Sequence, residues 1–132
     1  MIFVDSDVPM LLVGTPHRFK VEAQKWLEIS ITEGGPLVTD AAVLHEILRR
    51  YVAIDCREAI QPCLDVLLGV VDEVLPIDAG AVERAKTIVF GHPRLSARTA
   101  LHLAVMERHG VDRVMSFDAS FDDFPEIQRV RY

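Results

Sequence analysis

Apolar residues fall in short blocks separated by polar, Gly- and Pro-bearing turns, and the period changes from block to block. Met1-Ile-Phe-Val4 is too short for a helix and continuous enough for a buried strand, which ends at Asp5. Thr15-Pro16 predicts an N-cap with a first-turn proline. The helix after it would run to about Ile31 and bury Phe19, Ala23, Trp26, Leu27 and Ile29 until Gly34-Gly35-Pro36 stops it. Leu37-Val38-Thr39 fits either a short strand or the lead-in to a helix. Thr39 or Asp40 then caps a helix through about Val52, with Val43, Leu44, Ile47, Leu48 and Tyr51 on or near its apolar face. A further helix from Arg57 to about Val71 carries Pro62 near its middle, where the missing N–H and the ring predict a kink or a split. Val74-Leu-Pro-Ile77 reads as a strand, and Asp78 caps a helix from Ala79 to Phe90. Ser96 caps another from Ala97 to about His109, which Gly110 ends. Val111–Phe117 is a strand, and the alternating tail Ile127–Tyr132 fits an edge strand.

Strands alternating with helices argue for an α/β chain: a parallel sheet with helices on both faces. In such sheets the ligand crevice lies beyond the carboxyl ends of the strands. Asp5 and Asp118 both stand at predicted strand ends, which makes a shared site more plausible than scattered surface charge.

Length and composition narrow the classes. A chain of 132 residues fits one domain, residues 1–132, and half of it is hydrophobic, which argues against disorder. No apolar run is long enough to span a bilayer, and the start lacks the basic segment of a signal peptide. Cys56 and Cys63 make neither a metal-ligand pattern nor a disulfide framework, so reduced thiols in a cytoplasmic protein are expected. The formal charge of −6 argues against a broad DNA-type electrostatic footprint and favours a basic protein partner. A nuclease stays admissible, because carboxylates at a metal site contribute to that charge.

The candidate chemistry is carboxylate. Asp5, Glu46 and Asp118 come from distant stretches, and Thr99 opens the helix after Ser96 where a further carboxylate would complete the set. Gathered carboxylates repel one another, and the usual stabiliser is a hard divalent cation with oxygen ligands. Each residue also has a plainer role: Asp5 and Asp118 suit turns, Glu46 suits an exposed helix face, and Thr99 suits hydrogen bonding at a helix start. Asp122 fits a solvated loop, or a position reaching the metal through water. Asp7 fits a supporting or surface position. Ser6 and Ser116 could bond to a carboxylate or a phosphate, or satisfy backbone groups. His102, one turn after Thr99, reads as a packed or capping histidine. His45-Glu46 lacks the second His of a zinc protease motif. Arg49, Arg50, Arg94 and Arg98 could hold RNA phosphates, and a solvated helix face accounts equally for the first pair.

Taken together, Phe3-Val4-Asp5-Ser6-Asp7-Val8, Glu46 in its helix, Leu95-Ser-Ala-Arg-Thr-Ala-Leu-His-Leu-Ala104 and Val114-Met-Ser-Phe-Asp-Ala-Ser-Phe-Asp122 resemble the four motifs of PIN-domain nucleases. Length and order resemble the VapC-type toxins of toxin–antitoxin pairs. The resemblance implies a PIN-like three-layer α/β/α sandwich with a central, mostly parallel sheet. It implies a metal-dependent endoribonuclease using Mg²⁺ or Mn²⁺, a VapB-type antitoxin, an RNA substrate and a homodimer. Asp5, Glu46 and Asp118 match the family's acidic positions, with Asp122 as a further candidate ligand. Thr99 departs: the family usually has Asp there. The loss of a charged oxygen predicts weaker metal binding, one metal rather than two, and attenuated cleavage. The alternative is a weak or inactive module of the same fold that binds an antitoxin or RNA.

Overall fold

The computed structural model describes residues 1–132. Its centre is a five-stranded, all-parallel sheet of β1 (Ile2–Val4), β2 (Leu37–Asp40), β3 (Glu73–Leu75), β4 (Arg113–Met115) and β5 (Gln128–Arg129), in the spatial order β3-β2-β1-β4-β5. Six helices connect them: α1 (Asp7–Val13), α2 (Lys20–Glu33), α3 (Ala41–Ala53), α4 (Ile60–Val70), α5 (Ala79–Gly91) and α6 (Ala97–Arg108). Successive residues of a strand face opposite sides of a sheet. Ile2, Phe3 and Val4 are all buried, as are Leu37, Val38, Thr39 and Asp40, so both faces of the central strands are covered by helices. Residues from both faces and from α2, α3, α4 and α6 join one main apolar core.

The chain builds outward from β1 in two directions. β2 and β3 add on one side and β4 and β5 on the other, so the order reverses between β1 and β4. That is the switch point at which an open parallel sheet leaves a crevice. The registers Phe3↔Val114 and Val4↔Met115 bring Asp5 and Ser116 to the same edge, and Asp5 N–H donates to Met115 O.

Several boundaries differ from the sequence expectation, each for a local reason. α1 was not foreseen: it has only seven residues, and Pro9 sits in its first turn, where its missing N–H is no loss. The Thr15-Pro16 start is not used, and α2 begins at Lys20. Phe19 is instead held by stacking on Phe117 at 5.0 Å, which in turn stacks on Trp26 at 4.5 Å. Ala23, Trp26 and Leu27 are buried as expected, while Phe19 and Ile29 are half-buried. Leu37–Asp40 is a strand, and Asp40 rather than Thr39 caps α3 by accepting from Val43 N–H at 2.9 Å. Arg57–Ala59 forms a 3₁₀ turn and α4 starts at Ile60, which puts Pro62 in the first turn and removes any need for a kink. Asp78 and Ser96 cap α5 and α6, and Gly110 takes φ 66° just past α6. The tail contributes only Gln128 and Arg129 to the sheet edge.

Candidate active site

Three elements deliver carboxylates to the crevice. Asp5 follows β1 and is fully buried; its Oδ1 accepts from Ser6 N–H at 2.7 Å and its Oδ2 from Ser116 Oγ at 2.7 Å. Glu46 projects from the second turn of α3, because the Asp40 cap fixes where that helix begins. Asp118 follows β4 and opens a 3₁₀ turn over Ala119–Asp123, with its Oδ1 accepting from Ser120 N–H at 2.9 Å. Ser116 thus does more than satisfy backbone: it donates to Asp5 and accepts from Asp118 N–H at 3.0 Å.

α6 closes the site from the other side. Its Ser96 cap sets the helix phase, and Arg98, Thr99 and His102 then share the inward face through one-turn spacing. The Arg98 guanidinium lies among all three carboxylates: Nη1 is 3.4 Å from Asp5 Oδ1 and 3.2 Å from Glu46 Oε2, and Nη2 is 3.1 Å from Asp118 Oδ2. Thr99 Oγ1 donates to Asp118 Oδ2 at 3.2 Å and accepts from Ser96 Oγ at 3.0 Å. His102 is wholly buried, with Nδ1 2.7 Å from Asp40 Oδ2 and Nε2 2.7 Å from Glu46 Oε1.

These contacts set the protonation states. Burial pushes His102 down, but hydrogen bonds to Asp40 and Glu46 outweigh it and raise the imidazole to about 10, so both ring nitrogens donate at neutral pH. For Glu46, burial pushes the carboxyl up, while the His102 hydrogen bond and charge and the Arg98 charge pull it below its ordinary value. Asp118 is likewise lowered on balance: burial opposes ionisation, and the Ser120 and Thr99 hydrogen bonds with the Arg98 charge favour it. Asp7 goes the other way. Burial, then the neighbouring Asp5 charge, raises it to about 7, although its Oδ2 accepts from Phe117 N–H at 2.9 Å. Its Oδ1 is buried without a hydrogen-bond partner.

Of the residues singled out in the sequence, the structure brings Asp5, Glu46, Asp118 and Thr99 to one place. Asp122 is not joined to them by a hydrogen bond: its Oδ2 pairs with Arg129 and Arg131, each at 2.9 Å. Two participants carry more than their sequence reading suggested. Asp40 is both helix cap and histidine partner, and His102 is packed, as expected, yet it also holds Glu46. The one-turn run Arg98, Thr99, His102 was the available signal, but their carboxylate partners come from 19 to 93 residues away. Arg49 and Arg50 line a groove of about 410 Å³ with Ser6, Met10, Glu46 and Arg98, which opens beside the carboxylates. A larger cavity of about 470 Å³, between α5, α6 and the segment before β5, holds none of the cluster, so the chemistry of the lining rather than volume marks the site.

The donor set suits a hard divalent cation. Asp5, Glu46 and His102 offer ligand atoms within 4.8 Å of one another. With both His102 nitrogens committed as donors, the ligands left are oxygens, the preference of Mg²⁺ and Mn²⁺. A pair of carboxylates with polar neighbours at a strand switch point can position water and phosphate around such an ion.

Known proteins match this chain in sequence and fold. The PIN domain family model matches residues 2–127. A VapC ribonuclease of Mycobacterium bovis and the ribonuclease VapC13 of Mycobacterium tuberculosis are each 55% identical over 130 residues, covering 98% of this chain and 99% of theirs. Ribonuclease VapC23 of Mycobacterium tuberculosis is 38% identical over 89% of this chain and 93% of its own. The crystal structure of the Mycobacterium tuberculosis toxin VapC20 superposes with a TM-score of 0.79 at 21% identity, over 95% of each chain, which supports the fold. The parallel sheet, the carboxylates at its switch point and the extent of these matches lead to one assignment: this chain belongs to the PIN-domain family, among the VapC ribonucleases of toxin–antitoxin systems.

Proposed function

We propose that the chain is a divalent-metal-dependent endoribonuclease in which Asp5, Glu46 and Asp118 hold the metal and Thr99 lowers its affinity. The observation that carries this is the convergence of those three carboxylates, from three elements, on the edge between β1 and β4. A bound Mg²⁺ or Mn²⁺ would polarise the scissile phosphate and lower the pKa of attacking water. The chain's own groups do the rest. Ser6 N–H and Ser116 fix the Asp5 carboxylate, Ser120 N–H fixes Asp118, and His102 fixes Glu46. Glu46, ionised and hinged on His102, would orient water or accept its proton. Arg49 and Arg50 would hold phosphates of the strand in the adjoining groove.

Thr99 explains the expected attenuation. It supplies a neutral hydroxyl already engaged with Ser96 and Asp118, so one metal fits this donor set better than two. The pairing of Asp122 with two arginines favours a role supporting the β5 edge over one as a ligand. The partner is a VapB-type antitoxin whose basic segment approaches the acidic crevice. Solved relatives of the same fold include a Rickettsia felis VapBC2 assembly and a Klebsiella pneumoniae toxin–antitoxin complex. The chain's −6 charge favours such a partner. A single PIN-like unit over residues 1–132, a cytoplasmic setting and a homodimer complete the reading; no helix is long and apolar enough to cross a membrane.

The test is cleavage of single-stranded RNA by purified protein with EDTA and with Mn²⁺, alongside Asp5→Asn. Metal-dependent cleavage lost in Asp5→Asn is expected. Cleavage that persists in EDTA would overturn the metal-dependent reading. Complete inertness with metal, combined with tight antitoxin binding, would favour the non-cleaving module.

A further inference from the structure

Arg98 stands where a cation would stand. Its Nη1 is shared between Asp5 Oδ1 and Glu46 Oε2, and its Nη2 reaches Asp118 Oδ2, so one guanidinium serves the same three carboxylates assigned to the metal. Asp5 is fully buried, and the Glu46 side chain is 12% exposed. Such carboxylates cannot lie together ionised without positive charge beside them. His102 supplies part of that charge, from the Asp40 and Glu46 side. Arg98 supplies the rest, and it alone reaches Asp118. A divalent ion placed on Asp5 and Glu46 would use the oxygens that Nη1 now occupies and would stand beside a like charge.

The side chain also has somewhere to go. It is 37% exposed, unlike His102 at 0%, and it lines the groove that Arg49 and Arg50 share. A long, flexible arginine at a half-open edge can exchange partners without unpacking the core, whereas the enclosed His102 cannot.

We propose that Arg98 is a built-in stand-in for the metal: it closes the carboxylate site when no ion is present, and a divalent cation binds only as the guanidinium withdraws into the Arg49–Arg50 groove. There it is available to a phosphate of the strand, so its release readies both halves of the site together. The inference rests on the metal-site reading above and adds to it a competition between this chain's own side chain and the ion. A merely structural ion pair predicts the opposite sign, since its loss would disorder the ligands and weaken metal binding.

The experiment is Mn²⁺ titration by calorimetry, paired with thermal melts in EDTA, on the wild type, Arg98→Met and Arg98→Lys. Met keeps the apolar stem without the charge, and Lys keeps one charge without the fork. Expected for Arg98→Met are a lower melting temperature in EDTA, a larger rise on adding Mn²⁺, and about tenfold tighter Mn²⁺ binding, the scale of about 1.4 kcal/mol. Arg98→Lys should fall between, and it carries the test by itself if Arg98→Met does not fold. Mn²⁺ affinity unchanged or weakened in the folded variants, with binding intact in the wild type, would overturn the stand-in role alone. No Mn²⁺ binding by any of the three would overturn the metal reading and the stand-in with it.

Discussion

Thr99 stands where the resemblance to PIN-domain motifs implies an Asp, and its surroundings say what a carboxylate there would do. Its hydroxyl bridges Ser96 Oγ and Asp118 Oδ2. Thr99→Asp puts a second negative charge beside Asp118, so the protein in EDTA should melt several degrees lower. The same oxygen should tighten Mn²⁺ binding and raise RNA cleavage, each by about tenfold or more, as a charged ligand replaces a neutral one. Calorimetry and cleavage assays on the matched pair decide it; full activity in the Thr99 protein with no gain in the variant would assign that coordination to another residue. His102 and Asp7 give a pH dependence of one sign. Both have folded pKa values above their ordinary ones, so the stabilisation each proton provides is complete below the ordinary value and is lost as pH rises through the folded value. For Asp7 the window runs from 3.8 to about 7, and for His102 from 6.5 to about 10. Asp7→Asn keeps an acceptor for Phe117 N–H and removes the first loss. In EDTA it should therefore match the wild type at about pH 3, below the window, and exceed it at pH 8, above it, and melting curves at the two pH values read this directly. Equal wild-type and variant stability at both values would mean that Asp7 ionises in the fold without penalty.

At the scale of elements, helix starts decide where the chemistry points. Asp40 ends β2, caps α3 and thereby fixes the turn on which Glu46 stands; it then binds His102 from α6. Ser96 does the same for α6, whose phase sets Arg98, Thr99 and His102. Ser96→Ala removes the oxygen that accepts from Thr99 N–H and donates to Thr99 Oγ1, and should cost about 1 kcal/mol of stability. Chemical denaturation measures that loss, and no change would mean that water caps α6 equally well. His102→Ala is expected to be harsher, because it leaves Asp40 and Glu46 facing each other without the cation between them. Breaking a buried pair of this kind costs about 3–5 kcal/mol. A variant that folds with near wild-type stability would show that water replaces the imidazole.

For the molecule as a whole, the site is a consequence of topology. The order reversal between β1 and β4 leaves a crevice that α3 and α6 border, and four distant stretches reach it. Metal binding should therefore stabilise the entire fold. At Mn²⁺ one hundred times its dissociation constant the gain is about 2.7 kcal/mol, visible as a melting temperature that rises with metal and returns with EDTA. A melting temperature indifferent to Mn²⁺ would place the ion, if it binds, outside the folded cluster.

By itself the sequence determined what depends on neighbours along the chain. The buried strand before Asp5, the caps at Asp78 and Ser96, and the stop at Gly110 are local backbone and side-chain preferences, and they appear as expected, while of Thr39 and Asp40, both eligible to cap α3, the fold uses Asp40. The motif order likewise marked Asp5, Glu46, Asp118 and Thr99. Only the tertiary structure decided the partners. α1 is too short to show a helical period, and α2 starts late because Phe19 stacks on a residue 98 positions away, a contact no local rule contains. Asp122 was open to a solvated-loop role or to reaching the metal through water, and the fold sets Arg129 and Arg131 against it. Arg98 and His102 could be read singly as a phosphate contact and a packed residue. Their roles as the cations of the cluster exist only where β1, α3, α6 and β4 meet, because electrostatics depends on distance in space and the sequence records distance along the chain.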